Sequence, residues 1–330
     1  MTVLRWVVLV LFWLLSLIGL AALVLVSLLS VPLSPPPPLE SIRNAALAVD
    51  RSGLPELSYF QARDGSSLAY RVYPPTNDNA RNIVIVIHGS AGHSTSMNEI
   101  AKRLAADNFL VIAPDIRGHG GSGTRGDIGY YGQLDDDLDD LLAELRQRYR
   151  ISRFALLGFS SGGGFALRLA SGKLSSAFER VVLLSPYLGY DAPSTRSSSS
   201  SAVWTSPDIP RIMALSLLRR VGFTYCEALP VIAFAVGPGS EKYVTSRYSY
   251  RLLTNFGSPP DLGTAFRQLK GRTTIIAGSG DELMQSDKYA EIIRGIEPAI
   301  DIHILPGLRH MDMLHGPMAM NAISAAFAEK

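Results

Sequence analysis

Phe154-Ala155-Leu156-Leu157-Gly158-Phe159-Ser160-Ser161-Gly162-Gly163-Gly164-Phe165-Ala166-Leu167 joins one apolar run to another through a turn of small residues. Phe154–Leu157 predicts a buried strand and Gly162–Ala170 a helix. The Gly-x-Ser-x-Gly pentapeptide between them suits a sharp strand-to-helix turn that pushes its central serine outward. Glycines two residues to either side remove Cβ atoms that such a turn would bring into collision. The helix beyond offers free N–H groups and its positive end to a developing anion. Ser160 is therefore the candidate nucleophile. Ser161 lies off-centre and is better used for its backbone N–H. A glycine-rich turn with a spare serine would contain the same five residues, so the flanks carry the reading.

The flanks repeat one pattern. Tyr59–Ala62 and Leu68–Tyr73 predict a hairpin about Asp64-Gly65. Ile83–Ile87, Leu110–Ala113, Val181–Leu184, Thr274–Ala277 and Ile300–Leu305 read as further strands. Helices are expected over Ser96–Asp107, Gln133–Arg150, near Asp287–Arg294 and from Pro317. Strands that alternate with helices and lack a polar face imply a mostly parallel sheet covered on both sides. In such sheets ligands bind beyond the carboxyl ends of the strands.

Acyl transfer needs two N–H donors aimed at an oxyanion. One is expected from Ser161. The other is expected from His88-Gly89-Ser90-Ala91-Gly92-His93, after the strand Ile83–Ile87, with Ser90 the candidate. His88 and His93 read better as shapers of that loop than as bases. The base should follow the acid late in the chain. His310 sits after the last strand; His315 is its rival, and His303 falls inside the strand pattern. Asp281, after Gly278-Ser279-Gly280, is the candidate acid that orients the imidazole. Glu282 and Asp191 remain alternatives.

Two clusters invite a different chemistry. Asp135, Asp136, Asp137, Asp139 and Asp140 look like a metal site but fall in the first turns of an amphipathic helix, where carboxylates suit the positive end. Asp115 and His119, in Asp115-Ile116-Arg117-Gly118-His119-Gly120-Gly121-Ser122, precede the serine, so chain order argues for loop architecture.

The 330 residues carry a net charge of +2, with 47% hydrophobic and 18% charged residues. That suits one α/β domain with an insertion and an extra segment. No basic block marks a nucleic-acid partner. The single cysteine, Cys226, excludes an intrachain disulfide framework. No charge occurs from Trp6 to Leu39. Trp6 to Leu29 would reach about 36 Å as a helix at 1.5 Å per residue, enough to span a bilayer. It is longer than a signal-peptide core and lacks a clear cleavage site. Residues 1–31 are thus expected to form an uncleaved single-pass anchor. Arg5 before it favours a cytoplasmic N-terminus and an extracytoplasmic domain. Residues 32–55, with Pro32 and Pro35 to Pro38, are expected to be a semi-rigid spacer that holds residues 56–330 off the membrane.

Five motifs then occur in one order: His88-Gly89-Ser90-Ala91-Gly92-His93-Ser94, Asp115-x-Arg117-Gly118-His119-Gly120-x-Ser122, Gly158-x-Ser160-x-Gly162-Gly163, Gly278-x-x-Asp281 and Pro306-Gly307-x-x-His310. Together, over roughly residues 58–330, they resemble the monoacylglycerol lipase/lysophospholipase branch of the α/β-hydrolases, also called the serine aminopeptidase S33-like group. The resemblance implies a Ser160–Asp281–His310 triad and an oxyanion hole from the Ser90 and Ser161 N–H groups. It also implies an α/β-hydrolase fold with a cap, matched here by about residues 187–260. The anchor and a cap rich in Leu, Ile, Val and Phe point to hydrolysis of a lipid-like carboxylic ester, of monoacylglycerol or lysophospholipid type, by a mechanism that requires no cofactor and no metal. The alternatives are amide or peptide cleavage, acyl transfer to another acceptor, and a non-catalytic tethered binding protein.

Overall fold

The computed structural model describes residues 2–77, 82–150, 153–196, 203–237, 244–297 and 299–328. An eight-stranded sheet forms its centre, in the order β1 (Leu57–Gln61), β2 (Ser67–Tyr73), β4 (Leu110–Pro114), β3 (Ile83–Ile87), β5 (Phe154–Phe159), β6 (Phe178–Leu184), β10 (Thr273–Gly278) and β11 (Asp301–Leu305). β1, β2 and β4 pair antiparallel, and every pairing from β4 to β11 is parallel. The hairpin between β1 and β2 turns at Gly65, whose φ of 80° lies in the left-handed region that glycine tolerates.

The side-chain alternation of β3 shows why both faces are covered. Ile83, Ile85 and Ile87 point into one core, shared with α4 (Gln133–Tyr149), α5 (Ser161–Ser171), α8 (Leu262–Gln268) and α9 (Lys288–Arg294). Val84 and Val86 point into the other, shared with α3 (Asn98–Ala106) and α10 (Pro317–Ala328). A strand with period two that is apolar at every position can only sit between two such layers.

Between β6 and α8 the chain leaves the main sheet. There β7 (Thr205–Pro207), β8 (Pro230–Phe234) and β9 (Arg247–Ser249) form a small antiparallel sheet, flanked by α6 (Ile209–Arg220) and α7 (Tyr250–Asn255). The Leu229–Val236 run, which the sequence leaves without a role, supplies the middle strand of this cap sheet. The serine tract 197–201 lies outside the described residues.

At the N-terminus, α1 (Thr2–Ser30) is a continuous helix, long and apolar enough to cross a membrane. The segment after it departs from the expected spacer. Leu39 donates its N–H to the Ala235 carbonyl at 3.3 Å, and α2 (Glu40–Ala48) follows with Ile42 buried. Asn98 Nδ2 donates to the Asp50 carbonyl at 2.8 Å. Only the proline stretch is extended; beyond it the chain lies on the domain instead of standing it off. The prolines lack N–H donors and cannot continue a helix, but residues 40–48 contain none.

Candidate active site

Three side chains from distant parts of the chain converge beyond the carboxyl ends of β5 and β10. Ser160 lies at the join of β5 and α5, with φ 55° and ψ −121°. A non-glycine residue held there is strained, and the neighbouring structure must fix it. Its N–H donates to the Leu184 carbonyl at 2.9 Å, and its carbonyl accepts from Gly163 and Tyr187, each at 2.9 Å. The flanking glycines are required by contact. A Cβ on Gly158 would overlap the Gly162 carbonyl, and one on Gly162 would overlap the His88 carbonyl.

His310 Nε2 lies 3.0 Å from Ser160 Oγ. His310 Nδ1 lies 2.8 Å from Asp281 Oδ2. Asp281 Oδ1 accepts the Leu283 and Met284 N–H groups at 2.9 and 2.8 Å. With the proton on Nδ1, Nε2 is free to accept from the serine. All three residues are buried: Ser160 is 6% exposed, His310 2% and Asp281 1%. Burial pushes the Asp281 carboxyl up, but His310 and the Met284 N–H outweigh it and hold it below the usual carboxylate range. The imidazole rests on the Phe159 ring, centroids 4.8 Å apart.

The rival residues fall elsewhere. Glu282 accepts the His310 N–H at 3.0 Å and pairs with Arg309 at 3.3 Å, so it holds the backbone of the histidine. Asp191 is exposed, and His303 is exposed on β11. His315 lies beyond the short helical turn Met311–Leu314. His88 donates from Nδ1 to the Gly89 carbonyl at 2.8 Å and accepts the Ile116 N–H on Nε2 at 3.2 Å. Asp115 accepts the Ser94 N–H at 2.7 Å and the Gly121 N–H at 2.8 Å, joining two loops. The aspartates of α4 are engaged by cations: Asp135 by Arg168, Asp136 by Arg63 and Lys173, Asp137 by Arg117, and Asp139 and Asp140 by Arg63.

Ser161 follows the serine directly, and Gly89, next to Ser90, lies against it, where an added Cβ would come 3.2 Å from Ser160 Cβ. Neither the Ser90 nor the Ser161 N–H has a hydrogen-bond partner among the described residues. For Ser161 this follows from its place as the first residue of α5. The loop carrying Ser90 is gripped by the cap, which sequence reading misses. Tyr248 Oη accepts the Ala91 N–H at 2.9 Å and donates to His119 Nε2 at 2.7 Å. The Thr245 N–H donates to the Ala91 carbonyl at 3.0 Å. Trp204 Nε1 donates to Ser90 Oγ at 3.0 Å. Ala91 needs such support, because its φ of 62° is left-handed.

Comparison with known proteins gives the same frame. The family model for Serine aminopeptidase, S33 matches residues 78–315. A monoacylglycerol lipase of Mycolicibacterium smegmatis is 29% identical over 128 residues, covering 38% of this chain and 45% of that protein. A human monoglyceride lipase is 30% identical over 132 residues, covering 40% of this chain and 43% of that protein. The matched stretch thus spans less than half the length of either relative. Among solved structures, a soluble variant of monoglyceride lipase from Saccharomyces cerevisiae superposes with TM-score 0.63 at 18% identity, over 84% of this chain and 94% of that one. A membrane phospholipase A described as a bacterial virulence factor gives 0.56 at 15% identity, over 98% of both chains. At these identities the structures establish an α/β-hydrolase fold, and by the family model, which covers most of its length, the chain belongs to the Serine aminopeptidase, S33 family.

Proposed function

We propose that the protein is a serine hydrolase that cleaves lipid-like carboxylic esters of the monoacylglycerol or lysophospholipid type. The observation that carries the reading is the unbroken relay from Ser160 Oγ through His310 to Asp281, at 3.0 and 2.8 Å. Ser160 attacks the ester carbonyl as His310 Nε2 takes its proton. Asp281 holds the imidazole in the required tautomer and stabilises its cation. The oxyanion is received by the Ser90 and Ser161 N–H groups. His310 returns the proton to the leaving alcohol. Water, deprotonated by the same nitrogen, then releases the acyl group as a carboxylic acid. The relatives named as monoacylglycerol and monoglyceride lipases support the substrate class.

The reading includes an anchor. α1 spans the membrane with its N-terminus in the cytoplasm, and residues 56–330 lie on the other side, with residues 187–260 as the cap. Its support is the length and apolarity of α1 and Arg5 ahead of the span.

Ser160→Ala should abolish ester turnover and fluorophosphonate labelling while the chain stays folded. Labelling retained in that variant rejects the assignment. The family's description favours amide or peptide cleavage as a second reading. Aryl esters assayed beside aminoacyl amides separate the two.

A further inference from the structure

The outer side of α6 carries an apolar strip that the reaction does not use. Ile209, Met213, Leu217 and Val221 are 53%, 67%, 63% and 73% exposed. They recur every four residues and so share one side of the helix. Phe223 and Tyr225 extend the strip through the following turn, edge to face with centroids 5.4 Å apart; Tyr225 is 88% exposed. Arg220 is exposed within it. Arg219 lies over the Tyr131 ring, 4.4 Å from its centroid. Contiguous large apolar groups rimmed by charge mark an interaction surface.

What lies beside the strip identifies its occupant. Leu29, in the last turn of α1, packs against the small core of Leu215, Val231 and Tyr250 under α6. Leu25 and Leu28 are also partly covered, whereas the described side chains from Val3 to Val24 are exposed. Arg211 of α6, 3% exposed, donates to the Val31 carbonyl and, at 2.7 Å, to the Pro230 carbonyl. The exit of α1 is thus tied to the cap at both a side chain and the backbone. The 29 residues of α1 would reach about 43 Å at 1.5 Å per residue, and a bilayer core is about 30 Å thick. With the helix crossing the core, its last turns emerge at headgroup depth, and α6 is fastened there.

We propose that the outer face of α6, together with Phe223 and Tyr225, is a contact surface for the lipid bilayer that α1 crosses. The inference rests on the reading of α1 as a membrane span. A helix with an apolar stripe and basic rim lies in the interfacial plane. Aromatic rings settle at the same depth, and Arg220 suits anionic headgroups. The cap above Ser160 then touches the phase that holds a lipid ester, so the substrate need not cross bulk water.

The test uses the full chain in phosphatidylcholine–phosphatidylglycerol vesicles, with Cys226→Ser as background. Single cysteines at Met213, Leu217 and Tyr225 carry an environment-sensitive fluorophore. Leu17→Cys reads the anchor and Arg294→Cys, exposed on α9, reads the solvent side. The inference expects blue-shifted emission at 213, 217 and 225, quenched by lipids spin-labelled near the headgroup. Position 17 should be quenched by deep labels, and 294 by neither. Quenching at 17 with 213, 217 and 225 behaving like 294 overturns the contact and leaves the anchor standing. No quenching at 17 overturns the anchor and, with it, the inference that rests on it. A blue shift without lipid quenching means a second copy covers the strip, and overturns it too. The triple variant Met213→Ser, Leu217→Ser, Phe223→Ser should lose about tenfold in turnover of a vesicle-borne long-chain monoester, with a soluble short-chain ester unchanged. An unchanged vesicle rate, or equal losses on both substrates, overturns the proposal.

Discussion

Tyr248 joins the cap to the loop that bears Ser90 through one hydroxyl. That hydroxyl is fully buried; it accepts from Ala91 and donates to His119. Burial pushes its pKa far above the usual range, so it stays protonated and can serve both partners. Tyr248→Phe keeps the ring but leaves a buried N–H and a buried imidazole nitrogen unpaired, each costing about 1–3 kcal/mol. With Ala91 released from its strained φ, the adjacent Ser90 N–H, the oxyanion donor proposed above, loses its aim. The expected result is a fall in kcat of roughly ten- to hundredfold with KM little changed, since an oxyanion donor acts mainly in the transition state. A lowered Tm with kcat intact would make the tyrosine structural only. Chain order and strand ends single out Ser160, Asp281 and His310 as candidates in the sequence, and their side chains lie within hydrogen-bond distance of one another. Sequence reading does not reach Tyr248, Trp204 or Glu282. Tyr248 and Glu282 meet backbone N–H groups, Trp204 meets a loop hydroxyl, and no spacing in the sequence encodes such contacts.

At the scale of elements, legibility follows length and burial. β3 and β5 are apolar throughout because helices cover both faces, and their runs stand out; β10 is just as buried but opens on Thr273 and Thr274 before its apolar run. The cap strands β7 and β9 have three residues each, too few to display a period. The links between elements are equally hidden. Arg117, in the loop after β4, has a side chain 6% exposed and pairs with Asp137 of α4 at 2.7 Å. It also reaches Asp64 of the β1–β2 turn at 3.0 Å. One guanidinium therefore fastens a hairpin, a loop and a helix. Removing one partner of a buried pair strands the other's charge. Arg117→Ala should cost about 3–5 kcal/mol in urea unfolding. Adding Asp137→Asn should recover part of that loss, because the stranded charge goes with it. A loss below about 1 kcal/mol, the range of exposed pairs, would mean the pair is effectively solvated.

Across the whole molecule, the sequence conveys an apolar N-terminus and an α/β body but not how they meet. The expected spacer fails from residue 40 onward because a proline-free segment finds a surface to pack on, which composition cannot reveal. Global stability has a similar hidden determinant. His88 and His119 meet edge to face with centroids 4.8 Å apart, both fully buried. Burial holds His88 down to about 4. Burial, and then the neighbouring His88, hold His119 well below the ordinary range. In the unfolded chain both titrate near about 6.5. As pH falls below that value, the unfolded chain takes up protons that the folded one refuses, so stability drops with acid. For His88 the window closes near pH 4, where the folded form also protonates. Asp281, with its folded pKa depressed, contributes stability above its ordinary value of 3.8 and loses it only at lower pH, so it leaves this window clear. Urea unfolding should therefore give a free energy flat above about pH 7.5 and falling between about pH 6.5 and 4, by up to about 1.4 kcal/mol per pH unit for each histidine. His119→Gln should reduce that slope without abolishing it, since His88 and His93, whose pKa values burial also lowers, still contribute, and the amide can still accept from Tyr248 and donate to the Ile116 carbonyl. A free energy constant from pH 7 to 5 would mean that the two imidazoles gain protons as readily in the fold as out of it, and would reject the buried neutral pair.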